Sequence, residues 1–186
     1  MNRLENWFCA SGLWRNLTER KWLPWALENT DLGEHILEVG AGPGAATAEL
    51  ARRVRNVTSL EYRHDFCVRL QTRVDAASVV QGDASVLPFA SQTFTAAIAI
   101  LVLHHLRSRD AQDRAFAEIL RVLKPGGVFV ALEIQDGWLT RAAHFCSTFV
   151  PVSRNGLNGR LRAAGFSNLN VDNRGGGIRI RAERAS

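Results

Sequence analysis

The residues best suited to chemistry begin at position 38. Glu38-x-Gly40-x-Gly42-x-Gly44 closes the apolar run Ile36-Leu37-Glu38-Val39. Glycine serves where a backbone turns sharply and lets a ligand approach its amides with no Cβ in the way. A helix expected from near Gly44 to about Val54 points its free N–H groups at the same spot. Glu61 ends the second strand expected, 21 positions after Gly40, where a carboxylate can accept from both hydroxyls of a ribose. An acid at a strand end also serves as a plain helix cap. Gly40, Gly42 and Ala45 satisfy the G-x-G-x-x-A pattern of dinucleotide binders as well, so the loop alone leaves a nicotinamide-dependent oxidoreductase open. Glu38 weighs against it, because a carboxylate beside the loop repels a pyrophosphate and suits a ligand with a cationic end. Further on, Gly82-Asp83-Ala84 offers an acid that can accept from an adenine amino group and an amide that can read a ring nitrogen.

A second constellation is His104 and His105, at the carboxyl end of an apolar segment, where open α/β sheets bind their ligands. An imidazole titrating near its ordinary pH of about 6.5 suits a general base. The plainer role is a hydrogen bond to backbone for one ring and a pocket wall for the other. Glu133, Asp136 and His144 flank the following segment as weaker candidates, and Asp136 before Gly137 reads as a turn residue. There is no His-x-x-x-His or Cys-x-x-Cys, and Cys9, Cys67 and Cys146 are far apart, so no metal site is expected.

The elements that must position these groups alternate in period. Val57–Glu61, a short run at 78–81, Phe94–Leu103 and Val128–Ile134 read as strands that follow the one ending at Val39. Helices are expected over 64–74, over 110–123 up to Pro125-Gly126-Gly127, and over 157–164 up to Gly165. Strands over 166–171 and 178–182 close the chain around the glycines at 175–177. Such alternation implies an α/β fold, a Rossmann-like three-layer sandwich on a mostly parallel seven-stranded sheet with an antiparallel C-terminal edge strand. One domain over residues 1–186 is expected: a helical cap over 1–30, in which Pro24 starts or kinks a second helix, and the core over 31–186.

Taken together, ILEVGAGPGAAT, LEYRHDF, GDASVLPF, LVLHHL and LKPGGVFVALE resemble the class I S-adenosylmethionine-dependent methyltransferases. They are most similar to the small type 11 group that includes ubiquinone and menaquinone methyltransferases. The likeness spans roughly residues 34 to 135 and identifies no substrate. It implies S-adenosyl-L-methionine as cofactor and S-adenosyl-L-homocysteine as product. Glu38, Gly40, Gly42 and Gly44, with Ala41 between them, would frame the methionine moiety. Glu61 would hold the ribose, Tyr62 would flank the adenine, Asp83 and Ala84 would read its edge, and backbone at Ile100 or Leu101 would line the sulfonium side. One departure stands out: the family's Phe-Asp at the start of the fourth strand is Phe94-Thr95 here, for which a small cost in stability is expected. No Asp/Asn-Pro-Pro-aromatic follows that strand and there is no Pro-Cys, which argues against methylation of DNA amino groups and of cytosine C5.

Partners follow from composition. Trp7, Phe8, Trp14, Trp138, Phe145 and Phe149 fall in the N-terminal helices and the 134–158 insert, and favour a small apolar or aromatic acceptor, in a pocket that a homodimer could complete. The net charge of +5 is carried entirely by the segment from Pro151, where seven arginines face Asp172 and Glu183. No aromatic interleaves the arginines from Arg174 to Arg184, so a nucleic-acid platform is not expected. The longest apolar run, Ala96 to Leu103, is far short of the ~20 residues that span a bilayer, and nothing in the first thirty residues resembles a signal peptide. A reduced, cytoplasmic location is expected. The alternatives to an enzyme of this class are a non-catalytic S-adenosylmethionine-binding domain and, further off, the oxidoreductase.

Overall fold

Apolar runs rich in valine, isoleucine and alanine pair into one sheet in the computed structural model, which describes residues 7, 11–145 and 147–186. Strands β1 (His35–Val39), β2 (Asn56–Glu61), β3 (Ala77–Gln81), β4 (Phe94–Ile100) and β5 (Leu123–Ile134) are parallel. With β6 (Phe166–Arg174) and β7 (Gly177–Arg184) they form a seven-stranded sheet in the order β3-β2-β1-β4-β5-β7-β6. The closing pair is antiparallel as expected; the reversed strand β7 lies one in from the edge and β6 forms the edge.

Alternation along the strands builds two cores. Leu37, Val39, Ala97, Ala99, Phe129 and Ala131 face one side, where α5 (Arg109–Val122) and α7 (Leu157–Ala164) supply Phe116, Ile119, Leu157 and Leu161. Ile36, Ala96, Ile98, Val128 and Val130 face the other, against Leu23 and Ala26 of α2 (Leu23–Ala26) and Leu50 of α3 (Thr47–Arg53). The helix α4 (His64–Gln71) buries Phe66, Cys67 and Leu70. Because the sheet grows leftward from β1 and rightward from β4, loops leaving these two strands diverge and open a crevice at their carboxyl ends.

Three boundaries shift for backbone reasons. The helix expected from Gly44 begins at Thr47, because Gly44 has φ +89° and cannot join a right-handed helix. The fourth strand ends at Ile100 rather than Leu103, because Leu101 turns at φ +56° into a 3₁₀ turn over Leu103–His105. The fifth begins at Leu123, whose partner is Phe94, and passes through Gly126 at φ +72° before the ladder resumes at Val128.

Near the N-terminus, α1 (Gly12–Leu17) is capped by the Ser11 hydroxyl, which accepts the Trp14 N–H at 3.1 Å. The chain then widens into a π turn over Thr18–Trp22. Pro24 has no N–H to return to Arg20, and it starts α2 as expected. Phe8, Cys9 and Cys146 lie outside the described residues.

Thr95, where the family has aspartate, pins strand to strand. Its hydroxyl lies 2.6 Å from Leu32 O and 2.9 Å from His35 O, and accepts the His35 N–H at 3.2 Å. The arginines of the basic tail also do structural work. Arg160 pairs with Asp113, Arg179 with Asp172 and Glu28, and Arg181 with Glu183. Arg184 donates to Leu120 O, Arg121 O and Leu123 O at the end of α5, where the carbonyls lack helical partners. Among the described residues no helix is long and apolar enough to cross a membrane.

Candidate functional site

A cavity of about 580 Å³ lies at the carboxyl ends of β1, β2 and β4, within the size range of small-molecule sites. Its wall includes Glu38, Gly40, Ala41, Gly42, Glu61, Tyr62, Asp83, Ala84, Ile100 and Leu101. These come from four separate stretches of chain, and the topology alone brings them to one place.

The loop after β1 is shaped by glycine. Gly40 has φ +70° and Gly42 φ +56°. A Cβ on Gly42 would meet nothing within 4 Å, so this residue keeps open a cradle that any side chain would fill. Gly44 differs from the expectation. It lies away from the cavity, where a Cβ would strike Leu70 Cδ1 at 2.6 Å, so its role is to let the loop pack on α4.

Two carboxylates flank the loop. Glu38 is buried, and its Oε2 accepts the hydroxyls of Thr47 and Ser59, both at 2.7 Å. Burial pushes its carboxyl up to about 6, against the lowering effect of those two hydroxyls. Glu61 is also buried, and burial raises it too; its Oε2 accepts the Gly42 N–H and its Oε1 the Arg63 N–H, each at 2.8 Å. Every carboxylate oxygen has a second lone pair, so both oxygens of Glu61 can still accept from a diol. Asp83 commits Oδ1 to the amide and hydroxyl of Ser85, at 2.8 and 2.7 Å. At the exposed rim Tyr62 accepts from Arg107 Nη2 at 2.8 Å, which ties the end of β2 to the loop after β4.

The cavity also holds groups from outside the sheet. Trp14 and Thr18 reach it from the N-terminal helices. The Thr18 hydroxyl is buried and has no hydrogen-bond partner, which is costly unless a ligand supplies one. No sequence signal marks it, since a threonine in a helical stretch is unremarkable. Three acids at strand ends, an open glycine cradle and an orphaned hydroxyl fit a nucleoside carrying a cationic amino-acid group. The carboxylate of Glu38 beside the loop does not suit a pyrophosphate.

The two histidines separate. His105 borders the cavity and His104 is buried behind it. The expectation of a near-neutral base at His105 is corrected: burial first, then the neighbouring rings of His104 and His144, push it down to about 3. The His104 Nδ1 lies 2.5 Å from Glu133 Oε2. Of the aromatics expected around an acceptor, only Trp14 lines the cavity among the described residues. Trp7, Trp138 and Phe145 are 69%, 77% and 76% exposed, and Phe149 stacks on His144.

Comparison with known proteins gives one family and consistent neighbours. The methyltransferase domain family matches residues 37–131, just over half of the chain. The chain is 36% identical over 122 residues to the demethylmenaquinone methyltransferase of Thermobifida fusca, covering 62% of this chain and 50% of that protein. It is 38% identical over 103 residues to the fatty-acid O-methyltransferase of Mycolicibacterium smegmatis, covering 53% of this chain and 36% of that one. The chain thus spans half or less of the length of these two curated relatives. Among solved structures, the PH0226 protein of Pyrococcus horikoshii superimposes with a TM-score of 0.81 at 16% identity, over 95% of this chain and 93% of that one, a likeness of fold.

Proposed function

Because the chain belongs to the methyltransferase domain family, we propose that it transfers a methyl group from S-adenosylmethionine to a small, apolar or aromatic acceptor. The observation that carries this reading is the open cradle at Gly42 between the buried carboxylates of Glu38 and Glu61. Glu38 and the loop amides would hold the amino-acid end, Glu61 the ribose, and Asp83 with the Ala84 amide the adenine, with Tyr62 against its face. When bound, the cofactor supplies a methyl group already activated on a sulfonium. What remains for the chain is to position the acceptor and keep water out, which can lower a barrier by about 7–11 kcal/mol without a base. Ile100, Leu101, Val102, Leu106 and Trp14 give that side of the cavity apolar walls. Demethylmenaquinone and fatty acids, for which the two relatives are named, are both largely hydrocarbon.

Thermal denaturation with S-adenosylmethionine, S-adenosylhomocysteine and NADH in parallel tests the reading. A ligand at 100 times its Kd adds about 2.7 kcal/mol, which for a chain of this size raises Tm by about 5–10 °C. Both adenosyl ligands should produce that rise and NADH should not. Stabilisation by NADH alone would restore the oxidoreductase. Adenosyl binding with no radiolabelled methyl transfer across a broad acceptor panel would favour the non-catalytic domain.

The raised carboxyl of Glu38 sets a pH dependence. Its affinity for a cationic amino group needs the ionised form, present above about 6 and lost as pH falls through that value. S-adenosylhomocysteine should therefore bind about tenfold more weakly at pH 5 than at pH 7, as expected for one linked proton. Glu38→Gln should flatten the profile. A wild-type affinity constant across that window would remove Glu38 from the amino-acid end.

A further inference from the structure

We infer that His104, His105 and His144 form a binding site for one divalent transition-metal ion of the zinc class, set in the wall of the cavity. The three residues come from two segments that only the fold unites. His104 and His105 follow β4, while His144 follows the short helix α6 (Trp138–Ala143) after β5. Each offers a ring nitrogen within 4.8 Å of one from each of the others. Their ring centroids lie 4.1, 5.1 and 5.4 Å apart.

The orientation of the rings says more than their proximity. In every case Nδ1 faces an oxygen: Glu133 Oε2 at 2.5 Å for His104, Thr148 O at 3.3 Å for His105, and Thr140 O at 2.7 Å for His144. A carbonyl oxygen can only accept, so Nδ1 of His105 and His144 carries the proton and Nε2 bears the lone pair. Glu133 imposes the same tautomer on His104. Its other oxygen accepts the Val102 and Leu103 N–H groups at 3.0 and 2.7 Å, which fixes the carboxylate in a fully buried position. A ligating histidine whose second nitrogen donates to a carboxylate or carbonyl is the common arrangement behind zinc and related ions.

Zinc bonds of about 2.0–2.1 Å to three nitrogens in tetrahedral geometry place those nitrogens about 3.4 Å apart, so the cluster has to close slightly on the ion. Phe149 packs against His104 and His144, at 5.5 and 4.5 Å between centroids, and walls the site from that side. His105 and Thr148 line the cavity, so a fourth coordination position opens toward it. The ligand class for that position is an oxygen donor on the acceptor, a hydroxyl or an enolisable carbonyl. This last step rests on the methyltransferase reading, whereas the metal site itself does not.

The test uses the full chain, stripped with a chelator and titrated with zinc by calorimetry and with cobalt by visible absorption. One equivalent should bind, and cobalt should give the intense bands of a low-coordinate ion. His144→Ala should weaken zinc binding at least tenfold, and Glu133→Gln, which removes the charge and replaces one acceptor oxygen behind His104 with an amide donor, by about 10–100-fold. Cooperative thermal unfolding of His144→Ala, measured in parallel, reports that the variant is folded. Failure of the wild-type chain to bind zinc while it still responds to S-adenosylhomocysteine overturns the site and spares the methyltransferase reading. Undiminished zinc binding by a folded His144→Ala overturns the site as well. Zinc bound by the wild-type chain and weakened in His144→Ala, with no response to S-adenosylhomocysteine, upholds the site and sinks the methyltransferase reading.

Discussion

Gly40→Ala is expected to lower the melting temperature by roughly 4–20 °C, the effect of about 2–5 kcal/mol in a chain of this size. Two costs add. At φ +70° a Cβ meets the preceding turn, a penalty of about 1–2 kcal/mol. The same Cβ would lie 2.1 Å from Val102 Cγ2 and 2.7 Å from Val102 Cβ, far inside contact distance. Val102 cannot step aside freely, because its N–H is tied to Glu133 at 3.0 Å, so the clash carries an overpacking cost of about 1–3 kcal/mol. Against a usual total of about 5–15 kcal/mol this is a large fraction. Gly42→Ala is the informative contrast. It shares the positive φ but its Cβ would meet open space, so about 1–2 kcal/mol of backbone strain is the whole structural cost. That variant should melt within about 3–8 °C of the wild type and yet lose most of its stabilisation by S-adenosylhomocysteine. If Gly40→Ala melts within about 2 °C of the wild type, Val102 is not the wall that these distances make it. If Gly42→Ala binds the nucleoside normally, the cradle is not where the ligand lies.

The two glycines also mark what a sequence can and cannot express. Strands announce themselves because burial on both faces demands apolar runs, and β1 and β4 end close to where such runs end. The acids at their tips were legible for the same reason: a carboxylate closing an apolar strand is out of place unless something binds it. Gly44 could not be told from Gly42 by spacing, because one faces Leu70 and the other faces open space, and only three-dimensional packing separates them. Leu101 at φ +56° was equally hidden, since its residue type argues for continuing the strand that it ends. Aromatic content misled about the acceptor side: Trp138 and Phe145 point to solvent, and apolar character says nothing of direction. The histidine cluster was illegible in another way. Motifs for metal sites are written in short spacings, and His144 lies 39 positions beyond His105, joined to it only when β5 returns the chain to the carboxyl edge of the sheet.

Glu61→Ala is expected to weaken S-adenosylhomocysteine binding more than tenfold, a loss of over about 1.4 kcal/mol. The carboxylate acts at two places, and the substitution alone does not say which matters. It organises the loop, through its bond to the Gly42 N–H, and its remaining lone pairs face the cavity where a ribose diol would lie. A double-mutant cycle separates the two roles, with the ligand as the second partner. The 2′-deoxy form of S-adenosylhomocysteine lacks one hydroxyl but leaves the protein loop untouched. If Glu61 holds the ribose, removing the hydroxyl should cost the wild type several-fold in affinity and cost Glu61→Ala almost nothing. If Glu61 only shapes the loop, both proteins should lose the same factor. Glu61→Gln adds a further constraint, since it keeps one acceptor oxygen but no charge. Oriented by the Gly42 N–H, that oxygen should keep the loop bond at Gly42, while the amide nitrogen that replaces Oε1 leaves the Arg63 N–H without its acceptor, so the melting temperature should fall modestly and the affinity more. Equal affinity of the wild type for the ribose and deoxyribose forms would mean that the diol is not read at all, and the carboxylate at the tip of β2 would then be a loop clamp alone.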